Sequence, residues 1–170
     1  MQRFINKVAL ITGAGSGIGR ATAVRLAAEG ARLMLVDRNE DGLRQTLEQL
    51  PAGSDARSML VDVADEAAVQ DCVEQTIAAF GQLDVLCNNA GIAGGDYSTV
   101  QDQSLETWQK IIGVNLYGVM LFSKYASRQM EKQGGGAIVN TASVAGIRSG
   151  AGGNAYSASK AGVFNFTMTS

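Results

Sequence analysis

Val8-Ala9-Leu10-Ile11-Thr12-Gly13-Ala14-Gly15-Ser16-Gly17-Ile18-Gly19 decides how this chain folds. Residues 8–11 are an unbroken apolar run bounded by Lys7 and Thr12, the pattern of a short strand covered on both faces. Glycines at positions 13, 15, 17 and 19 follow at once, and a helical segment begins where they end. Without Cβ atoms, the N–H groups of such a turn stay open at a helix N-terminus, which makes an anion site able to take a pyrophosphate. The spacing is G-x-x-x-G-x-G over Gly13, Gly17 and Gly19 rather than G-x-G-x-x-G, and no G-K-[ST] follows. A strand-to-helix turn that needs positive φ and binds nothing would use the same residues.

The same alternation continues outward from this stretch. Ile18, Ala21, Val24 and Ala28 recur at steps of three and four and are expected to form the inward side of the first helix, stopped by Gly30. Residues 32–36 read as a second strand ending in Asp37, residues 41–50 as a helix closed at Pro51, and residues 58–61 as a third strand running into Asp62 and Val63. A helix over 66–80 carries Val69, Val73 and Ile77 and stops at Gly81. Residues 83–87 form a fourth strand that leads into Asn88, Asn89, Ala90 and Gly91, and residues 92–103 read as a loop. Ser104 then caps a helical region reaching about residue 132, with Gly113 and Asn115 as expected irregularities. Leu116, Tyr117, Val119, Met120, Leu121 and Phe122 give that region more apolar surface than one face needs. Residues 137–141 are the fifth strand, and a final helix runs from about Tyr156.

Strand and helix in alternation imply an α/β fold with a doubly wound parallel sheet and right-handed crossovers. Ligands of such sheets bind beyond the carboxyl ends of the strands. Residues 13–19, Asp37, Asp62, residues 88–91 and Ser143 all fall at those ends.

Bulk properties narrow the chemistry. The 170 residues suit one domain, 1–170, and a net charge of −2 makes no electrostatic case for nucleic acid or an anionic membrane. The chain contains no histidine, and Cys72 and Cys87 lack paired spacing. Zinc sites, Ser-His-Asp triads and Cys-His dyads are therefore excluded, and no metal is expected. The first seven residues lack an apolar signal core, so a soluble cytoplasmic protein is expected.

Asp37 lies about twenty residues beyond the glycines, where a carboxylate can accept both ribose hydroxyls of an adenosine and repel a 2′-phosphate. This favours NAD over NADP, while the adjacent Arg38 could hold that phosphate. Asp62 would meet the adenine edge, or stand as a solvated strand end. The segment 88–91 could let a ring lie against the backbone, or form an Asx turn. Asn115 within an apolar helix needs partners, either a water at a kink or a nearby loop. Tyr156 and Lys160 are four apart, one helical turn on one face. An ammonium beside a phenol favours the phenolate, giving a proton donor and acceptor usable near neutral pH.

Taken in order, Thr12-Gly-x-x-x-Gly-x-Gly19, Asp37, Asp62, Asn88-Asn-Ala-Gly91, Asn115, Ser143 and Tyr156-x-x-x-Lys160 resemble the single-domain branch of the short-chain dehydrogenase/reductase superfamily along the whole chain. The resemblance implies a nicotinamide-dependent oxidoreductase that moves a hydride between NAD(H) and an alcohol or ketone. Its catalytic residues would be Asn115, Ser143, Tyr156 and Lys160. Its cofactor would be held by Gly13, Ser16, Gly17, Ile18, Gly19, Asp37, Arg38, Asp62, Val63, Asn89, Ala90, Gly91, Tyr156 and Lys160. In this picture Tyr156 is the general acid or base, Lys160 assists it and binds the nicotinamide ribose, Ser143 fixes the substrate oxygen, and Asn115 holds a water. The resemblance also implies homodimers or homotetramers, with the helix after Asn115 and the one from Tyr156 packing on a partner.

Superfamily members usually run to about 250 residues, so C-terminal strands are expected to be missing after Ser170 and strand five to be an open sheet edge. Much of the substrate pocket would lie in that missing part. Two other functions are compatible with a related fold: a nucleotide-binding paralogue without turnover, and an epimerase or dehydratase. The intact Ser143, Tyr156, Lys160 and Asn115 weigh against the first, and the glycine spacing against the second.

Overall fold

In the computed structural model, which describes residues 2–93, 97–148 and 150–170, the apolar runs become strands β1 (Val8–Thr12), β2 (Arg32–Asp37), β3 (Ala56–Leu60), β4 (Val85–Asn88) and β5 (Ala137–Asn140). They form one parallel sheet in the order β3-β2-β1-β4-β5. The chain winds outward from β1 in one direction through β3, then returns to lay β4 and β5 on the other side. The gap between the ends of β1 and β4 is thus the point where strand order reverses, the usual ligand crevice of such sheets.

All residues of β1 are buried, and their alternation defines two cores. Val8 and Leu10 pack with α3 (Glu66–Phe80) and α5 (Gly118–Gln133) through Val69, Val73 and Phe122. Ala9 and Ile11 face α1 (Gly17–Ala28) and α2 (Glu40–Glu48), meeting Ala23, Ala27 and Leu43. Each fully buried Val, Leu or Ile stabilises the fold by roughly 1.5–3 kcal/mol over an exposed one, so the central strand anchors both layers.

The inward face of α1 is not the expected one. Gly19, Ala23 and Ala27 are buried, while Ile18 is 68% exposed. The reason is steric: a Cβ on Gly19 would sit 2.1 Å from the Gly13 carbonyl oxygen, so the side that meets the sheet must be the small one. Hydrophobic periodicity cannot register a glycine as the closest point of packing.

The long helical region splits into α4 (Leu105–Ile112), a π-helical turn (Gly113–Tyr117) and α5. Ser104 caps α4 by accepting from the Thr107 N–H at 3.3 Å. The extra residue of the π turn rotates the helix faces, as such insertions do. Val119, Leu121 and Phe122 are consequently buried within the chain, and only Tyr117 and Met120 of the apolar cluster remain exposed. Most of that surplus is therefore met inside the chain.

Strand and helix ends shift by one to three residues from expectation. The final helix, α6 (Asn154–Thr169), starts before Tyr156 and packs on α4 and the π turn. Among the described residues β5 pairs only with β4, and its Val139 is 57% exposed. Residue 1 of the N-terminal segment, 94–96 of the expected loop and 149 before α6 lie outside the described residues. No helix of the described residues is long and apolar enough to cross a membrane.

Candidate active site

Side chains tie the carboxyl ends of β1, β4 and β5 together. The Thr12 hydroxyl oxygen accepts from the Asn89 and Ala90 N–H groups, both at 3.0 Å, and donates to the Cys87 carbonyl at 3.4 Å. The Asn89 amide donates to the Thr12 carbonyl at 3.2 Å, and its oxygen meets the Thr141 hydroxyl at 3.5 Å. The Thr141 carbonyl then accepts from Lys160 Nζ at 2.7 Å. One polar chain therefore sets the distances between a glycine turn, an Asn-Ala-Gly turn and the lysine of α6.

These strand ends border a cleft of about 610 Å³, within the range that encloses a cofactor-sized ligand. Gly13, Ser16, Gly17 and Ile18 line it at one end, Asp37, Arg38, Asp62 and Val63 beside them, Asn89, Ala90 and Gly91 at the middle, and Ser143, Tyr156 and Lys160 at the other end. Gly19 does not line it, because it is the buried contact on the Gly13 carbonyl.

The glycine turn is built to receive an anion. Gly13 and Gly17 have φ of +67° and +52°, and a Cβ on Gly17 would meet no atom within 4 Å, so the turn faces open space. Ser16 makes no side-chain cap, which leaves the first-turn N–H groups of α1 to the cleft. The residues present fit a dinucleotide pyrophosphate.

Asp37 has each oxygen held by one backbone N–H: Oδ2 by Gly15 at 2.9 Å and Oδ1 by Asn39 at 3.0 Å. Each oxygen retains capacity for one more donor, which is the demand of a vicinal ribose diol. Asp62 accepts from the Ala64 N–H at 2.9 Å, so its carboxylate is oriented by an Asx turn and not simply solvated.

At the other end, Ser143 begins a short 3-10 turn (Val144–Gly146) by accepting from the Ala145 N–H at 3.2 Å. That turn lies directly on α6: a Cβ on Gly146 would be 2.6 Å from the Ala161 nitrogen. The contact sets Ser143 relative to Tyr156. Lys160 is 4% exposed, and its Nζ lies 5.9 Å from the centre of the Tyr156 ring. Burial pulls its pKa below the usual lysine range. One of its three N–H groups is used on Thr141, leaving two for other acceptors.

Asn115 is the catalytic candidate that does not line the cleft. It is fully buried in the π turn, donating to the Ile92 carbonyl at 2.9 Å and to the Ser159 hydroxyl at 3.1 Å, and accepting from the Ile92 N–H at 2.8 Å. Its side chain thus holds the segment after β4 from behind the cleft.

Six further residues line the cleft without having been singled out: Val61, Ile92, Ala93, Val114, Thr141 and Ala142. Each adjoins a named motif, so position next to a strand end was the available signal. Five of them carry apolar side chains with no chemistry of their own to mark them, and Thr141 enters through its carbonyl, which sequence does not display.

Comparison with known proteins agrees with this geometry. Residues 7–170 match the profile of the family described as short chain dehydrogenase. The chain is 45% identical over 172 residues to levodione reductase of Leifsonia aquatica, covering 99% of this chain and 64% of that protein. The crystal structure of levodione reductase superposes with a TM-score of 0.95 at 42% identity, over 98% of this chain and 66% of that one. The structure of NAD+-bound xylitol dehydrogenase superposes at 0.93 with 40% identity, over 98% and 64%. The chain therefore spans slightly under two thirds of these relatives. With a profile match over nearly its whole length, the chain belongs to the short chain dehydrogenase family.

Proposed function

We propose that residues 1–170 form the dinucleotide-binding and catalytic domain of an NAD-dependent oxidoreductase acting on an alcohol or ketone. The observation that carries this reading is the shared cleft: the glycine turn, Asp37 and the Tyr156–Lys160 pair line one space. Relatives named as a reductase and a dehydrogenase, one of them bound to NAD+, support the reaction class.

In this reading Gly13, Ser16, Gly17 and Ile18 take the pyrophosphate, Asp37 takes the adenosine ribose, and Asp62 with Val63 takes the adenine. Bound NAD(H) would supply or accept the hydride. Tyr156 gives its phenolic proton to the substrate oxygen during reduction and takes it back during oxidation. Lys160 places a positive charge beside the ring, which favours the phenolate, and its remaining N–H groups would hold the nicotinamide ribose. Ser143 donates to the substrate oxygen and holds it near Tyr156. Asn115 keeps Ile92, and with it the turn after β4, in place. Preference for NAD over NADP follows from Asp37, whose charge opposes a 2′-phosphate.

The test is a titration with NADH and with NADPH, followed by alcohols and ketones with the preferred cofactor. Tighter NADH binding with turnover of at least one carbonyl substrate is expected. NADPH preference would remove the role given to Asp37, and binding without turnover by the longest form of the chain would leave a nucleotide-binding protein.

A further inference from the structure

Gly15 is held through both of its flanking peptides. Its N–H donates to Asp37 Oδ2 at 2.9 Å, and its carbonyl accepts from an Arg20 guanidinium nitrogen in a short hydrogen bond. Arg20 Nε also donates to the Thr46 hydroxyl at 3.0 Å, and its terminal nitrogen reaches the Gly42 carbonyl at 3.3 Å and Gln45 Oε1 at 3.1 Å. Thr46, fully buried on α2, turns its own hydroxyl to the Ala14 carbonyl at 2.8 Å and the Gly42 carbonyl at 3.0 Å. The clearances are small: a Cβ on Gly15 would lie 2.9 Å from Asp37 Oδ2, and one on Gly42 would lie 2.7 Å from the Gly15 oxygen.

We propose that Arg20 and Thr46 form a latch that positions the Gly15 peptide against Asp37, and through it sets discrimination between adenosine riboses with a free and with a phosphorylated 2′-hydroxyl. The inference rests on the dinucleotide reading of the cleft. Neither Arg20 nor Thr46 lines the cleft, so both act through Gly15 and Asp37. The physical argument is one of preorganisation. A carboxylate that must accept two ribose hydroxyls gains from having its other lone pairs already occupied in the right plane. The Gly15 N–H shares its peptide plane with the Ala14 carbonyl, which the Thr46 hydroxyl holds, while Arg20 fixes the next plane through the Gly15 carbonyl. Guanidinium suits that anchor, because its rigid fork serves Gly15, Gly42 and Thr46 together. Without the latch the two peptide planes on either side of Gly15 lose their carbonyl anchors, the Gly15 N–H can turn off Asp37, and the orientation of that carboxylate toward the ribose loosens. A 2′-phosphate, held at a distance by the same charge, depends less on that orientation.

ADP-ribose and its 2′-phosphorylated form isolate this end of the cofactor, so binding to the whole chain can be measured by calorimetry without turnover. Wild type is expected to favour ADP-ribose. Thr46→Val keeps volume and removes the hydroxyl; it should weaken ADP-ribose by about tenfold and the phosphorylated form far less, so that discrimination falls by about the same factor. Arg20→Gln should do the same, with Arg20→Lys recovering part of the loss. If Arg20→Gln does not fold, Thr46→Val decides. A folded Thr46→Val chain that keeps the wild-type ratio within about twofold overturns the latch while leaving the dinucleotide reading intact. Wild type that binds neither compound overturns that reading, and the latch with it.

Discussion

Asn115 and Ile92 exchange a pair of hydrogen bonds, the amide nitrogen to the Ile92 carbonyl at 2.9 Å and the Ile92 N–H to the amide oxygen at 2.8 Å. A side chain in the π turn thereby substitutes for the strand partner that the segment after β4 lacks. A third bond to the Ser159 hydroxyl, which itself donates to the Tyr156 carbonyl at 2.6 Å, links that segment to α6. The arrangement makes Asn115 a structural joint between the cofactor end and the phenol end of the cleft.

Asn115→Ala should accordingly act on stability first. It removes the partner of both backbone groups of Ile92 in a half-buried setting and empties a buried site, and the cost should be about 2 kcal/mol of unfolding free energy. Urea denaturation of the variant beside wild type measures it. A loss below about 1 kcal/mol would mean water replaces the amide without strain.

Tyr156→Phe removes only the phenolic oxygen from a half-buried ring. Dinucleotide affinity should stay near wild type while turnover drops by roughly 10²–10⁴-fold, the range of a lost general acid. Steady-state rates beside an NADH titration separate the two effects. Retained turnover would remove the proton-transfer role.

Two glycines of one turn should respond oppositely. In Gly19→Ala the new methyl would lie 2.1 Å from the Gly13 carbonyl oxygen, a backbone clash that α1 can relieve only by lifting off the sheet. A loss of about 3 kcal/mol in stability is expected. In Gly17→Ala nothing lies within 4 Å, and φ of +52° costs about 1 kcal/mol of strain. Its methyl enters the pyrophosphate end of the cleft, so NADH affinity should fall more than stability does. Thermal unfolding and fluorescence titration of both variants check the contrast.

Glu29 sets an acid limit on the N-terminal segment. Hydrogen bonds from Arg3 and from Arg25, at 2.5 Å each, hold its carboxyl down to about 2, from an ordinary value of 4.5. A carboxyl depressed in the folded state adds stability that is complete above the ordinary value and is lost as pH falls through the folded one. The melting temperature should therefore decline between pH 4.5 and about 2, and Glu29→Gln should flatten that part of the curve. A variant with the same acid slope as wild type would assign the decline to other carboxylates.

Much of the architecture was legible because strand burial and glycine chemistry are local. The run at residues 8–11 is apolar at every position, and the structure covers it on both faces. The stops at Gly81 and Gly134 are left-handed residues that terminate α3 and α5. The interruption at Gly113 and Asn115 was also visible, since glycine and a lone amide break an apolar helix pattern. The inward face of α1 was not, because Gly19 and two alanines make the closest contacts and score weakly in any hydrophobic count.

The sequence by itself determined the order of elements, the glycine turn at the first strand end and the residue types available for proton transfer, each being a property of neighbours along the chain. Only the tertiary structure decided which of those residues share a space. Parallel pairing of β1 with both β2 and β4 brings Gly17, Asp37, Asn89 and Lys160 to one edge across long sequence separations. The same folding buried Asn115 behind the cleft wall, where its amide meets the backbone of Ile92. It also joined Arg20 and Thr46 to the Gly15 peptide, a relation that arises only when α1 and α2 lie side by side on the sheet.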